Sequence, residues 1–69
     1  MRDDESEIRG LLLIEEREKA IMVEQNGNRM WIPRSQITCL VKEPLQPGDK
    51  FRRINITIPD WLADAKELE

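Results

Sequence analysis

The feature that most constrains the fold of this chain is the alternation of residues 51–58. Ile54, Ile56 and Ile58 alternate with polar residues. A period of two is typical of a strand with one face in an apolar core and the other in water. The pattern predicts a strand over residues 51–58. It also predicts a sheet, because a single strand leaves its backbone hydrogen-bonding groups unpaired.

A β-hairpin is the second clear signal. Residues 8–14 and 19–24 are rich in aliphatic and β-branched side chains, and each segment predicts a strand. Asn26-Gly27 follows the second of these strands. Asn-Gly favours a two-residue turn because both central positions need a positive φ. The returning strand spans residues 29–32, and Pro33 ends it because proline has no N–H to donate.

The remaining strand and its turn are less regular. Residues 37–42 predict a fourth strand in chain order, with Ile37, Cys39 and Val41 on one face, and Cys39 is expected to be a small buried hydrophobic residue. Pro47-Gly48 fits a type II turn.

A helix is predicted over residues 59–68, because Pro59 and Asp60 both suit its first turn. Trp61, Ala65 and Leu68 lie at helical spacing, so this stripe is expected to dock on the sheet. The predicted fold class is therefore mainly β: a small five-stranded antiparallel barrel or curled sheet, SH3-like or OB-like, with a short C-terminal helix. Residues 8–69 form this single domain, and residues 1–7 form a disordered acidic tail.

The core of a 69-residue chain is thin. Conformational entropy opposes folding by roughly 1.5 kcal/mol per ordered residue, and burial in so small a domain nearly balances that. We therefore expect a homodimer, formed through a free strand edge or through residues 11–14, with a monomer as the alternative.

Positive charge is concentrated in the middle of the chain. Residues 29–53 hold six basic and two acidic side chains, a net charge of +4, whereas residues 1–7 and 60–69 each carry −3. Arginine can bind phosphate, and a tryptophan beside it can stack on a base. The candidate nucleic-acid-binding residues are Arg29, Trp31, Arg34, Arg52 and Arg53. Trp31 fits a core position as well as a contact surface, and Trp61 is expected to dock the helix.

Catalytic chemistry finds little support. The chain has no His and one Cys. It therefore lacks the usual acid–base partner of a Ser or Cys nucleophile, and it lacks a recognisable set of zinc ligands. We expect no enzyme activity, no cofactor and no metal. The longest apolar run, residues 11–14, is too short for a membrane span, and no signal peptide opens the chain, so a cytoplasmic location is expected.

Three segments together carry a resemblance: residues 19–23 (KAIMV), 30–37 (MWIPRSQI) and 56–63 (ITIPDWLA). They resemble a group of small, largely uncharacterised proteins and terminal domains from bacteriophages and other mobile elements. The resemblance implies a setting near replication and recombination functions, or in accessory regions of phage genomes. It implies no catalytic residues.

The sequence predicts a non-catalytic binding module of phage or mobile-element type that associates with single-stranded nucleic acid. The first alternative is a protein-binding inhibitor or accessory factor that blocks a host defence complex, for example an anti-CRISPR protein. The acidic ends would then imitate phosphate charge or contact a basic surface of the partner. The second alternative is a sponge for a nucleotide signal held between protomers.

Overall fold

The computed structural model describes residues 4–68, which form one antiparallel sheet of five strands and a short helix. The elements are β1 (Glu5–Glu16), β2 (Ala20–Gln25), β3 (Asn28–Pro33), a 3₁₀ turn (Arg34–Gln36), β4 (Cys39–Lys42), β5 (Arg52–Pro59) and α1 (Asp60–Ala65). The strand order is β3-β2-β1-β5-β4. The predicted mainly β fold, with five antiparallel strands and a short C-terminal helix, is confirmed. The sheet is open and does not close into a barrel.

The core lies on one face of the sheet. Ile54, Ile56 and Ile58 of β5 are almost fully buried there, as the period-two pattern predicts. Each other strand adds inward residues, and Leu62, Ala63 and Leu68 cover the cluster from the helical end. The two end strands, β3 and β4, contribute to the same cluster, so the sheet curves around its core. No helix formed by residues 4–68 has the length and apolarity that crossing a bilayer requires.

Both predicted turns are confirmed. Asn26 and Gly27 have φ values of 54° and 82°, as a type I′ hairpin turn needs. At the second turn, the Asp49 N–H donates to the Gln46 carbonyl (3.0 Å) and Gly48 has a φ of 88°. Proline before a glycine with positive φ defines a type II turn.

A bulge in β1 interrupts the alternation of inward and outward residues. Ile8 and Leu11 are both buried, although three positions separate them, because the register against β5 shifts between them. Gly10 has a φ of 74°, and its N–H donates to Asn55 Oδ1 (3.0 Å). The bulge therefore brings Arg9 and Gly10 together on the face opposite the core.

The predicted boundaries change at both ends of the domain. β1 begins at Glu5 and not at Ile8, so residues 5–7 of the predicted tail pair with the end of β5. Residues 1–3 of that tail lie outside the described residues. At the other end α1 stops at Ala65, shorter than the predicted 59–68. Glu67 adopts a left-handed φ of 58°, and the chain turns so that Leu68 enters the core.

Two predicted orientations are wrong. Cys39 and Val41 are exposed, because Leu40 is the β4 residue that lies opposite Ile56 and packs against the core. Trp61 is 61% exposed and does not dock the helix. α1 starts directly at the end of β5, and this places Leu62 and Ala63 over the sheet in its place.

Candidate functional site

The outer face is the side of the sheet opposite the core. Cross-strand pairs define it: Trp31 pairs with Met22, Arg29 with Glu24, Glu24 with Leu12, and Leu12 with Arg53. Side chains directly opposite one another on neighbouring strands share a face. Three of the five predicted site residues, Arg29, Trp31 and Arg53, therefore lie on the outer face.

The other two predicted residues lie elsewhere. Arg52 is opposite Leu13, whose side chain packs against the core, so Arg52 projects to the inner side of the sheet. Arg34 sits in the 3₁₀ turn at the end of the sheet. Its Nε donates to the Arg17 carbonyl (2.7 Å) and its Nη2 to Glu16 Oε1 (3.3 Å). The structure thus splits the predicted arginine cluster.

Two arginines that the sequence did not single out join the outer face. Arg9 reaches it through the bulge in β1. The Arg17 guanidinium carbon lies 5.3 Å from the centroid of the Trp31 ring, within the range of a cation–π contact. Gly10 next to a break in the alternation is a sequence signal for the bulge, and hence for Arg9. Nothing in the sequence predicts the contact between Arg17 and Trp31.

Half-buried apolar side chains run across the centre of the outer face, from Trp31 through Met22 to Leu12. An open pocket of about 430 Å³ adjoins this row at Leu12. It is lined by Arg9, Gly10, Leu12, Glu24, Gln25, Asn26 and Arg53. The guanidinium groups of Arg9 and Arg53 therefore border one cavity, in which Leu12 is the one apolar lining side chain among the described residues.

Each outer-face arginine has a carboxylate partner. The ion pairs are Arg9 with Glu7 (3.1 Å), Arg17 with Glu15 (2.5 Å), Arg29 with Glu24 (2.8 Å) and Arg53 with Asp49 (3.2 Å). All four arginine side chains are at least half exposed. Exposed ion pairs contribute only about 0–1 kcal/mol each, so a competing anion can replace the carboxylate at little cost.

A second charged cluster joins the two ends of the curved sheet. Glu16 Oε1 accepts hydrogen bonds from Lys42 Nζ (2.9 Å) and from Arg34 Nη2 (3.3 Å). The hydrogen bond from Lys42 is the main reason that the pKa of Glu16 lies below its ordinary value of 4.5. The charges of Lys42 and Arg34 add to this effect, and desolvation opposes it.

We expect Glu16→Gln to destabilise the fold at neutral pH only. Because the folded-state pKa is depressed, ionised Glu16 stabilises the fold above about 4.5, and this contribution is lost as the pH falls through the folded-state pKa. Glu16 is 43% exposed, so the loss at neutral pH should not exceed about 1 kcal/mol. Urea unfolding at neutral and acid pH measures it, with Glu18→Gln as the control. A difference from wild type that persists unchanged in acid would contradict the assignment.

No group of three or more His, Cys, Asp or Glu residues within positions 4–68 is arranged to hold a metal ion. No family model matches the chain, and neither a curated protein nor a solved structure matches it. The resemblance to phage and mobile-element proteins therefore stays a prediction, and function has to be inferred from the geometry of the outer face.

Proposed function

We propose that this protein is a non-catalytic module that binds single-stranded nucleic acid across the outer face of its sheet, in the cytoplasm. The observation that carries the proposal is that Arg29, Trp31 and Arg53, which come from β3 and β5, share one face. Arg9 and Arg17 extend the same surface. This combination supplies guanidinium groups for phosphates and an indole for a base.

Stacking on Trp31 is the first element of the proposed binding mode. Arg17 covers the Trp31 ring in the free protein, and its side chain is 64% exposed. An exposed cation–π contact contributes about 0.5–1 kcal/mol, whereas stacking of a base on an aromatic side chain contributes about 1–3 kcal/mol. A base therefore gains by displacing Arg17, whose guanidinium is then available to a neighbouring phosphate.

Phosphate contacts are the second element. Arg9 and Arg53 border the same pocket, and Arg29 lies across Glu24 from it. Arginine can bind phosphate oxygens through two parallel hydrogen bonds, and the exposed ion pairs that these arginines form in the free protein cost little to exchange. The carboxylates remain close to the arginines and repel the phosphates of the nucleic acid. We therefore expect modest affinity for the oligonucleotide, and we expect that affinity to depend strongly on salt.

A salt titration with a fluorescent oligothymidylate, followed by anisotropy, tests the proposal. We expect binding at low salt. In a plot of the logarithm of the association constant against the logarithm of the salt concentration, the slope should be about −0.7 for each phosphate that the protein contacts. Arg53→Ala should reduce this slope by about 0.7 and weaken binding. Arg52→Ala is the matched control, because Arg52 is the adjacent arginine on the other side of the sheet. The absence of binding at low salt, or equal effects of the two variants, would reject the proposal.

Neutralising Glu24 gives an independent check of the binding mode. Glu24 pairs with Arg29 and lines the pocket, so Glu24→Gln is expected to tighten oligonucleotide binding severalfold. Asp64→Asn on α1 removes the same charge from the helical side of the molecule and should leave the affinity close to that of the wild type. Anisotropy at one fixed salt concentration measures both variants.

A second candidate is a protein-binding accessory factor, including an inhibitor of a host defence complex. The row of apolar side chains on the outer face, Leu12, Met22 and Trp31, supports this candidate. Arginines that are paired with carboxylates flank the row, and aromatic, Met and Arg side chains are enriched at protein interfaces. The salt titration separates the two candidates. A module of this second kind shows no oligonucleotide affinity even at low salt.

A further inference from the structure

We propose that β3 is the contact strand for a second copy of this chain, which pairs with it antiparallel about a two-fold axis at Met30. β3 is an end strand of the sheet formed by residues 4–68. The pairing would join two sheets into one continuous sheet and would place the two outer faces side by side. It does not depend on whether that face binds nucleic acid.

The hairpin geometry determines which backbone groups of β3 are free. Residues that flank a two-residue turn form a hydrogen-bonded pair, and bonded pairs then alternate along the hairpin. The bonded residues of β3 are therefore Asn28, Met30 and Ile32. The Arg34 N–H donates to the Lys19 carbonyl (2.9 Å), which continues the same alternation.

The N–H and C=O groups of Arg29 and Trp31 consequently point away from β2. Outside the hairpin, no backbone hydrogen bond to either residue occurs within the described part of the chain. The end of α1 does not fill this space, because a pocket of about 470 Å³ lies between residues 28–30 and residues 65–67. Unpaired groups of this kind are a template for another strand.

The opposite edge of the sheet is better protected. β4 has four residues, and its Lys42 is tied to Glu16. A short strand and a lysine both discourage edge pairing, as does an adjoining loop with Pro44 and Pro47. β3 has six residues, and Pro33 protects only its last position. Between the two edges, β3 is therefore the one suited to a partner.

Side-chain chemistry selects the register. If Met30 faces itself, Arg29 of one copy lies opposite Trp31 of the other, and each such pair exchanges both backbone hydrogen bonds. The dimer then has two cation–π contacts between Arg29 of one copy and Trp31 of the other, one on each side of the two-fold axis. A shift that places Arg29 opposite itself is disfavoured, because like charges directly opposite each other repel. A shift that places Trp31 opposite itself sets Arg29 against Pro33, which lacks an N–H.

Disulfide trapping tests both the edge and the register. Exposed Cys39 is first replaced by serine. In that background Met30→Cys should form an intermolecular disulfide in a glutathione redox buffer, because the two Cα atoms in such a pair lie about 4.5 Å apart. Asn28→Cys, two positions along the same face of β3, is the matched control. It should remain monomeric on a non-reducing gel, since the two copies of residue 28 are about 13 Å apart in this register.

A mass measurement on the unmodified chain keeps the test independent of any folding defect in the cysteine variants. Native mass spectrometry or sedimentation should show a dimer whose fraction rises with protein concentration. A monomer at every concentration overturns the proposal. Cross-linking of Trp31→Cys or Asn28→Cys as fast as that of Met30→Cys overturns the register. Because oligonucleotide binding is measured separately, its absence would leave the dimer result unaffected.

Discussion

Replacing Ile56 with alanine is expected to lower the free energy of unfolding by about 2–5 kcal/mol. Ile56 is 1% exposed and lies on β5, between Ile8 on β1 and Leu40 on β4. Truncation removes buried methylene and methyl groups and leaves a cavity that three strands surround. A domain of this length has a total stability of roughly 3–10 kcal/mol, so the variant should be largely unfolded or close to it.

Urea unfolding followed by circular dichroism measures this effect, at one protein concentration for all variants. Ile56→Val, which deletes a single methyl group, should cost about 0.5–1.5 kcal/mol. Val41→Ala is the surface control, because Val41 is 50% exposed on β4, and its effect should stay within about 0.5 kcal/mol. If Ile56→Ala were no more destabilising than Val41→Ala, the core would not be organised around β5.

The parts of the fold that the sequence predicts correctly are those where one local rule acts alone. The alternation in β5 has a single apolar phase, so its buried face is unambiguous. Asn26-Gly27 and Pro47-Gly48 specify turns through backbone conformations that few other residue pairs adopt. These signals need no knowledge of the tertiary structure, and the structure reproduces all of them.

The orientation of β4 could not be obtained this way. In residues 37–42 both phases contain apolar side chains, and Ile37 precedes the strand, so it does not follow the alternation of β4. Pairing with Ile56 on β5 decides that Leu40 faces the core. The same limit applies to Trp61. Where a six-residue helix docks depends on how it leaves the preceding strand, more than on its own apolar stripe.

The candidate site is predictable only in part, for a related reason. Arg29 and Trp31 lie two positions apart on one strand, so their common face follows from the alternation of side chains. Arg53 joins them only through the register across β1, which the sequence does not reveal. Arg52 and Arg53 look equivalent as neighbours in sequence, yet adjacent strand positions must project to opposite faces. The bulge in β1 adds Arg9; Gly10 marks the position of the bulge in the sequence, but the face that Arg9 takes follows from the register against β5.

Trp31 is expected to carry the largest share of oligonucleotide affinity of any single side chain. Loss of one base stack costs about 1–3 kcal/mol, so Trp31→Ala should weaken binding by about 5-fold to 150-fold. Trp61→Ala is the matched control, because Trp61 is exposed on α1, away from the outer face. Its affinity should equal that of the wild type.

Fluorescence separates stacking from a structural effect of the substitution. In Trp61→Phe the indole of Trp31 is the sole tryptophan, and stacking of a base on it should quench the emission in step with the anisotropy change. In Trp31→Phe the emission of Trp61 should not respond to the oligonucleotide. Trp31 is half-buried, so the folded fraction of Trp31→Ala is measured alongside by urea unfolding. Binding without quenching in Trp61→Phe would exclude stacking on Trp31 and would leave the arginines as the sole contacts, since phosphate contacts alone do not require an indole.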